Sequence, residues 1–303
     1  MAAAQQIASG VDIKFKKIAV LTDFSRNADT VLRYAAAFAR EYGARLTLAH
    51  AYTPPACACA APEIALAYQA FETFRGSLES RLLNLTEADY LRDIKCTILL
   101  REGDTADLME DLSDADLVVV GTSGHTGLRR AALGSTAQKI FRSSPIPVLT
   151  VGPGCQIRDL ARSRLNTIIY ATDLSAKSAA MALPYAVSIA RQQDAELVML
   201  HVMPNRDVSF SFERAKVSAE PLEKLKILLP DTLDLPRRSR YVVGFGVPDE
   251  VILEEARKRD AGLIVMGAHR TGLLGALARR FQDGTTYSVA ANARRPVLTV
   301  RQP

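Results

Sequence analysis

Two stretches of this 303-residue chain read as copies of one another, and the duplication constrains the fold more than any other feature. IAVLTDFSRNADTVLRYAAAFAREYGARLTLAHAY runs from Ile18 to Tyr52, and IIYATDLSAKSAAMALPYAVSIARQQDAELVMLHVM from Ile168 to Met203. Asp23 and Asp173 are 150 positions apart, and His50 and His201 are 151 apart. DADLVVVGTSGHTG at 114–127 matches DAGLIVMGAHRTG at 260–272, and IPVLTV at 146–151 matches RPVLTV at 295–300. A repeat of that length is a duplicated domain and not a solenoid. Residues 1–153 and 164–303 form the two expected domains, with Gly152–Arg164 as the linker, where Gly, Pro and charges replace the apolar pattern.

Short apolar runs alternate with helical periodicity in each half. Lys17–Leu21, Arg45–Ala49, Ile94–Leu100, Leu117–Val120 and Val148–Val151 read as strands. Between the first two, Ala28, Val31, Leu32, Ala35, Phe38 and Ala39 follow the 3.6-residue period, with Ser25 as the expected N-cap and Gly43 as the stop. Further helices are expected over 63–85, Thr105–Leu112 and Ser135–Arg142. The second half repeats the order, with strands near 166–170, 197–201, 240–244, 263–266 and 297–301, and Pro184 should bend its first helix. The fold class is α/β: two tandem doubly wound parallel five-stranded sheets, Rossmann-like, with helices on both faces.

Hydrophobic residues at 48% and charged residues at 23% fit a soluble globular chain. No apolar run approaches the roughly 18–20 residues that span a bilayer. MAAAQQIASGVDIK lacks the basic start and apolar core of a secretory signal, so a cytoplasmic protein without membrane contact is expected. Cys57, Cys59, Cys96 and Cys155 include no CxxC pair, which disfavours a zinc or thioredoxin-type site; a redox role for Cys57 and Cys59 stays open. The net charge of +5 suits anionic ligands, but the charges are dispersed and Trp is absent, so nucleic acid is a poor fit.

In doubly wound sheets ligands bind beyond the strand C-termini. There the first half carries GTSGHTGLRRAALGST, with Gly121 and Gly124, nine intervening residues, and then Gly134, Ser135 and Thr136. Glycines let backbone approach a ligand, and the amides and dipole of the following helix attract phosphate. The loop is neither GxxxxGK[ST] nor GxGxxG after a first strand, so a mononucleotide is expected. Asp23 can accept from ribose hydroxyls or cap the neighbouring backbone at Ser25. His125 is a candidate phosphate neighbour, Arg129 and Arg130 weaker ones. The histidines fall into matched pairs, His50 with His201 and His125 with His269, with no converging ligands for a metal. No GxSxG, HExxH or kinase signature marks a catalytic residue.

Gly-x2-Gly-x9-Gly-Ser, TDFS after the first strand and PVLTV at the end resemble the universal stress protein family, over nearly the whole chain as two tandem domains. The resemblance implies the adenine nucleotide alpha hydrolase-like variant of the fold and ATP as ligand, with or without Mg2+. It implies a base and ribose site at Leu21, Thr22, Asp23 and Ala51, and a ribose and phosphate site at Val120, Gly121, Gly124, Gly134, Ser135 and Thr136. It further implies stress-response signalling more than turnover, slow ATP hydrolysis at most, and pairing through the strands around Pro147–Val151 and Pro296–Val300. That pairing could be internal, or could make a homodimer. A weak ATPase and a nucleotide-free interaction module are the competing readings.

The second half departs from the pattern. Gly267 survives, but Arg270 stands at the second glycine, and Gly284–Thr285 follows after thirteen residues. Two expectations remain open there: a degenerate domain that supports the first, or a different anionic ligand held by Arg270, Arg279 and Arg280. Asp173 and Val202 leave a purine pocket open, although one nucleotide per chain is the favoured count.

Overall fold

The computed structural model describes residues 12–54, 64–122, 133–155, 165–204, 211–229, 235–268 and 279–301. The first half runs β1 (Lys17–Leu21), α1 (Ala28–Tyr42), β2 (Arg45–Tyr52), α2 (Ile64–Thr86), β3 (Cys96–Glu102), α3 (Thr105–Asp111), β4 (Leu117–Gly121), α4 (Ser135–Ser143) and β5 (Val148–Val151). The second runs β6 (Thr167–Ala171), α5 (Ala176–Gln193), β7 (Glu196–Met203), α6 (Ser211–Leu228), β8 (Arg240–Phe245), α7 (Pro248–Lys258), β9 (Leu263–Ala268), α8 (Arg279–Asn292) and β10 (Val297–Arg301).

Strands β1, β4, β5, β6 and β9 are buried nearly throughout, as expected where helices cover both faces of a parallel sheet. The strand order is β3-β2-β1-β4-β5-β10-β9-β6-β7-β8. Pairing is parallel within each half and antiparallel between β5 and β10. The expected pair of five-stranded sheets is therefore one continuous ten-stranded sheet. Both hydrogen-bonding edges of β5 and β10 are used, which leaves β3 and β8 as the sheet's outer strands.

Alternate residues on each strand serve different cores. Ile18, Val20, Leu149, Val151, Leu298 and Val300 join one cluster shared by both halves, packed beneath α1 and α5. On the opposite face Ala19, Leu21, Val118 and Val120 meet α4, and Ile169, Ile264 and Met266 meet Val289 of α8. Helix α8 also sends Ala290 into the first-half cluster and packs Tyr287 against it.

Local signals explain most boundaries. Gly43 closes α1 in the left-handed region at φ 61°, its amide donating to carbonyls of the last turn. Ser25 does not cap α1: the N-cap is Asn27, without a side-chain bond, because Asn27 Nδ2 is turned to the Val151 carbonyl at 3.2 Å. In the second half Ser175 does cap, its Oγ accepting from Ser178 N–H at 3.2 Å. Pro184 deprives the Ala180 carbonyl of its helical donor, yet α5 continues to Gln193. The turn after β5 is closed by Cys155 N–H on the Gly152 carbonyl; residues 156–164 of the expected linker lie outside the described residues.

Candidate functional site

Strand order reverses between β1 and β4, and again between β6 and β9, so each half has a crevice beyond those strand ends. In the first half Leu21 pairs with Val120, which sets Thr22 and Asp23 across the crevice from Gly121 and Thr122. In the second, Ala171 pairs with Met266, and Thr172 and Asp173 face Gly267.

The Thr-Asp turn has the same construction twice. Thr22 N–H donates to the Ala49 carbonyl (3.0 Å), and Thr172 N–H to that of Leu200 (2.9 Å). Thr22 Oγ1 accepts from Phe24 N–H and Thr172 Oγ1 from Leu174 N–H, both at 3.1 Å. Asp23 Oδ1 accepts from Ser25 N–H (2.9 Å), and Asp173 Oδ1 from Ser175 N–H (3.0 Å). Phe24 and Leu174, neither a glycine, sit at φ 57° and 64°. A bulky residue in the left-handed region is strained, and the surrounding bonds hold it there.

The strand-two histidines complete the turn. Nδ1 of His50 lies 2.7 Å from the Thr22 carbonyl oxygen, and Nδ1 of His201 lies 2.8 Å from that of Thr172. A carbonyl only accepts, so each ring carries its proton on Nδ1 at this bond. These histidines brace the crevice floor. His50 also packs on Phe24, ring centroids 4.6 Å apart, and Arg81 covers that ring from 4.0 Å.

The base of the first-half glycine loop is closed by Gly134 N–H on the Thr122 carbonyl (2.8 Å), while Thr122 N–H bonds the Val151 carbonyl (3.1 Å). Thr122 is buried. Helix α4 starts here, with Gly134 as an N-cap that has no side-chain cap bond, and with Ser135 and Thr136 exposed in its first turn. A Ser or Asp at that position would occupy the first amides, whereas glycine leaves them for another acceptor. Gly124, His125, Arg129 and Arg130 lie outside the described residues. Of the remaining expected site residues, Leu21, Thr22, Asp23, Val120, Gly121, Gly134, Ser135 and Thr136 stand around the β1/β4 crevice, and Ala51, the last residue but one of the neighbouring β2, lies beside Arg101 of β3.

A cleft of about 190 Å³ occupies the second-half crevice. Thr172, Asp173, His201 and Val202 line it together with Ile252, Met266, Gly267, Thr285 and Thr286. Register matches Leu200–Val202 with Ala49–Ala51, and Met266 and Gly267 with Val120 and Gly121. With Gly284 set on Gly134, the sequence matches Thr285 and Thr286 with Ser135 and Thr136. The sequence left a pocket at Asp173 and Val202 open while favouring one nucleotide per chain, and these strand-end walls do line a cleft. Ile252 of α7 and Ser178 of α5 were missed, since nothing local marks a helix residue as facing a crevice.

The phosphate end does differ. Gly284 lies inside α8, which begins at Arg279, so Thr285 and Thr286 do not open a helix as Ser135 and Thr136 do. His269, Arg270 and residues 271–278 lie outside the described residues, as do the side chains of Arg279, Arg280 and Asp283.

At the adjoining strand end, Asp104 caps α3, accepting from Ala106 N–H (2.7 Å) and Asp107 N–H (3.3 Å), and meets Lys139 of α4 at 3.3 Å. These bonds, the Ala106 amide foremost, hold its carboxyl below the usual aspartate range. Among the described residues no group of three or more His, Cys, Asp or Glu could hold a metal ion, and no helix is long and apolar enough to cross a membrane. Of the cysteines, Cys96 and Cys155 are free thiols; burial pushes Cys155 up to about 11. Cys57 and Cys59 lie outside the described residues.

Comparison with known proteins agrees with the repeat. The model of the Universal stress protein family matches residues 14–152 and again 165–301. A universal stress protein of Mycolicibacterium smegmatis is 28% identical over 305 aligned residues, covering 94% of this chain and 96% of its own. One from Thermus aquaticus is 32% identical over 145 residues, 45% of this chain and 98% of its own. The crystal structure of a universal stress protein from Archaeoglobus fulgidus superposes with a TM-score of 0.67 at 17% identity, covering 96% of this chain and all of that one, which supports the fold. With two matches that together take in most of its length, the chain belongs to the universal stress protein family as a tandem member.

Proposed function

We propose that the first half binds an adenine nucleotide, ATP, and that the protein acts in a cytoplasmic stress response through nucleotide-dependent conformation or partner binding. The observation that carries this reading is the joining of two features at one crevice. A braced Thr22–Asp23 turn faces the end of β4, and α4 begins there at a glycine without a side-chain cap. Asp23 is the ribose partner, the small Ala51 leaves room for a flat base, and the first amides of α4 together with Ser135 and Thr136 receive phosphate. When bound, Mg2+ would neutralise phosphate charge.

The second half supplies the other side of a pseudo-twofold unit, joined through β5 and β10. Its cleft, near 190 Å³, suits a flat ring more than a nucleoside triphosphate. Its uninterrupted α8 offers no helix start to phosphate at Gly284. A homodimer of the whole chain would use surfaces other than the terminal strands, whose edges are already paired.

The test is the nucleotide content of freshly purified protein, released by heat and separated by chromatography, beside a Gly124→Arg/Gly134→Arg variant. About one ATP or ADP per chain, lost in the variant, is expected. Two per chain would give the second cleft a nucleotide as well. None, with no thermal shift on adding ATP, would leave an interaction module.

A further inference from the structure

The amide next to Gly134 is held by the other half of the molecule. Leu133 N–H donates to the hydroxyl oxygen of Tyr287, on α8, at 3.1 Å. The Tyr287 ring is itself fixed edge-on against Phe141 of α4, centroids 5.9 Å apart and planes at 83°. Ala290, one turn along α8, is buried in the first-half cluster. The following amide, Gly134 N–H, is fixed from within by the Thr122 carbonyl. Two consecutive amides thus set the direction in which the chain enters α4. Helices α4 and α8 align at an offset of 149, Ile140 with Val289 and Ser144 with Ala293, so the counterpart of Tyr287 is Gln138.

We infer that Tyr287 is a positioning residue for the phosphate end of the first-half site, so that this site is complete only when the second half is docked against it. The inference rests on the nucleotide reading above. Its physical content is preorganisation: donors aimed at an anion before it arrives need no ordering when it binds. Tyr287 touches no ligand. It also follows directly upon Thr285 and Thr286, which line the second-half cleft, so one turn of α8 meets both crevices.

The test compares wild type with Tyr287→Phe, which keeps the ring and removes the hydroxyl, by titration calorimetry with ATP and with adenosine. Amide exchange at Leu133 is followed in the same proteins. Loss of one hydrogen bond corresponds to a roughly three- to tenfold weaker affinity. The expected result is that loss for ATP, unchanged adenosine affinity and faster Leu133 exchange. Equal weakening of both ligands would assign Tyr287 a general structural role and overturn the inference, as would unchanged ATP affinity in a wild type that binds ATP. A wild type that binds no ATP would sink the nucleotide reading itself, a failure recognisable without the variant. Tyr287→Ala, with its fold checked by circular dichroism, should weaken ATP at least as much as Tyr287→Phe; an ATP affinity equal to wild type there would overturn the inference too.

Discussion

A Cβ on Gly267 would lie 2.2 Å from the hydroxyl oxygen of Ser178 and 3.3 Å from its Cβ. The glycine that survives near the end of β9 therefore admits α5 close to the sheet, and Ser178 is buried in that contact. Helices α1 and α5 align at an offset of 151, Ala39 with Ala190 and Gly43 with Asp194, so the first-half counterpart of Ser178 is the buried Asn27. Retention of Gly267 in β9, just before the altered second loop, thus has a packing cause that is independent of any ligand.

Gly267→Ala should destabilise the protein by roughly 1–3 kcal/mol, the range for overpacking a filled interior. Adding Ser178→Ala should restore part of that, because it removes the oxygen at the closest point. Urea denaturation of the two single variants and the double one measures the coupling. Additive costs would show that α5 and β9 adjust independently.

The bonds from His50 and His201 to the threonine carbonyls predict a paired result. His50→Phe and His201→Phe each keep an aromatic ring and remove the donor, and each should cost about 1 kcal/mol. Denaturant midpoints with an unchanged m-value are the readout. If His201→Phe were neutral while His50→Phe was costly, the two turns would differ in rigidity despite their common bonding.

Strand positions, the helical stripe of α1 and the Gly43 stop were legible because each is written in consecutive residues. The crevice residues Leu21–Asp23 and Gly121 were legible for the same reason, since ligands meet strand ends. Ser25 misled because the competing use of Asn27, on the Val151 carbonyl, depends on residues 124 positions away. Gly284–Thr285 looks like Gly134–Ser135 in sequence, and only the extension of α8 back to Arg279 separates them. The Tyr287–Leu133 bond spans 154 residues and exists only because β5 meets β10, which no local pattern encodes.

Asp104 gives a prediction in pH. Its carboxyl is held below the usual range in the folded chain, chiefly by Ala106 N–H and then by Lys139. A depressed value stabilises the fold above the unfolded pKa of about 3.9, and that stability is lost as pH falls through the folded value. Asp104→Ala should lower the Tm at neutral pH, whereas Asp104→Asn should keep the cap and lose only the charge-dependent part. Plotted against pH, the gap between wild type and Asp104→Asn should be constant near neutrality and close on acidification. A gap that persisted unchanged in acid would show that it does not come from the carboxylate charge but from a difference in how the two side chains cap or pack.

The junction of the halves provides the last prediction. Leu149 pairs with Leu298 at its centre, both fully buried, and the flanking pairs are Thr150 with Val297 and Thr299 with Val148. Thr150 Oγ1 donates to the Val297 carbonyl and Thr299 Oγ1 to the Val148 carbonyl, each at 3.2 Å. The two hydroxyls perform the same task on either side of a local twofold axis, so Thr150→Val and Thr299→Val should cost nearly the same, about 1 kcal/mol each. Leu298→Ala removes apolar volume at the axis and should cost about 2–5 kcal/mol. Since the shared core runs through Leu149 and Leu298, that loss should also weaken cooperation between the halves. Urea unfolding followed by circular dichroism should then broaden or split into two transitions. A single sharp transition in Leu298→Ala, merely shifted, would show that the rest of the shared core suffices to hold the halves together.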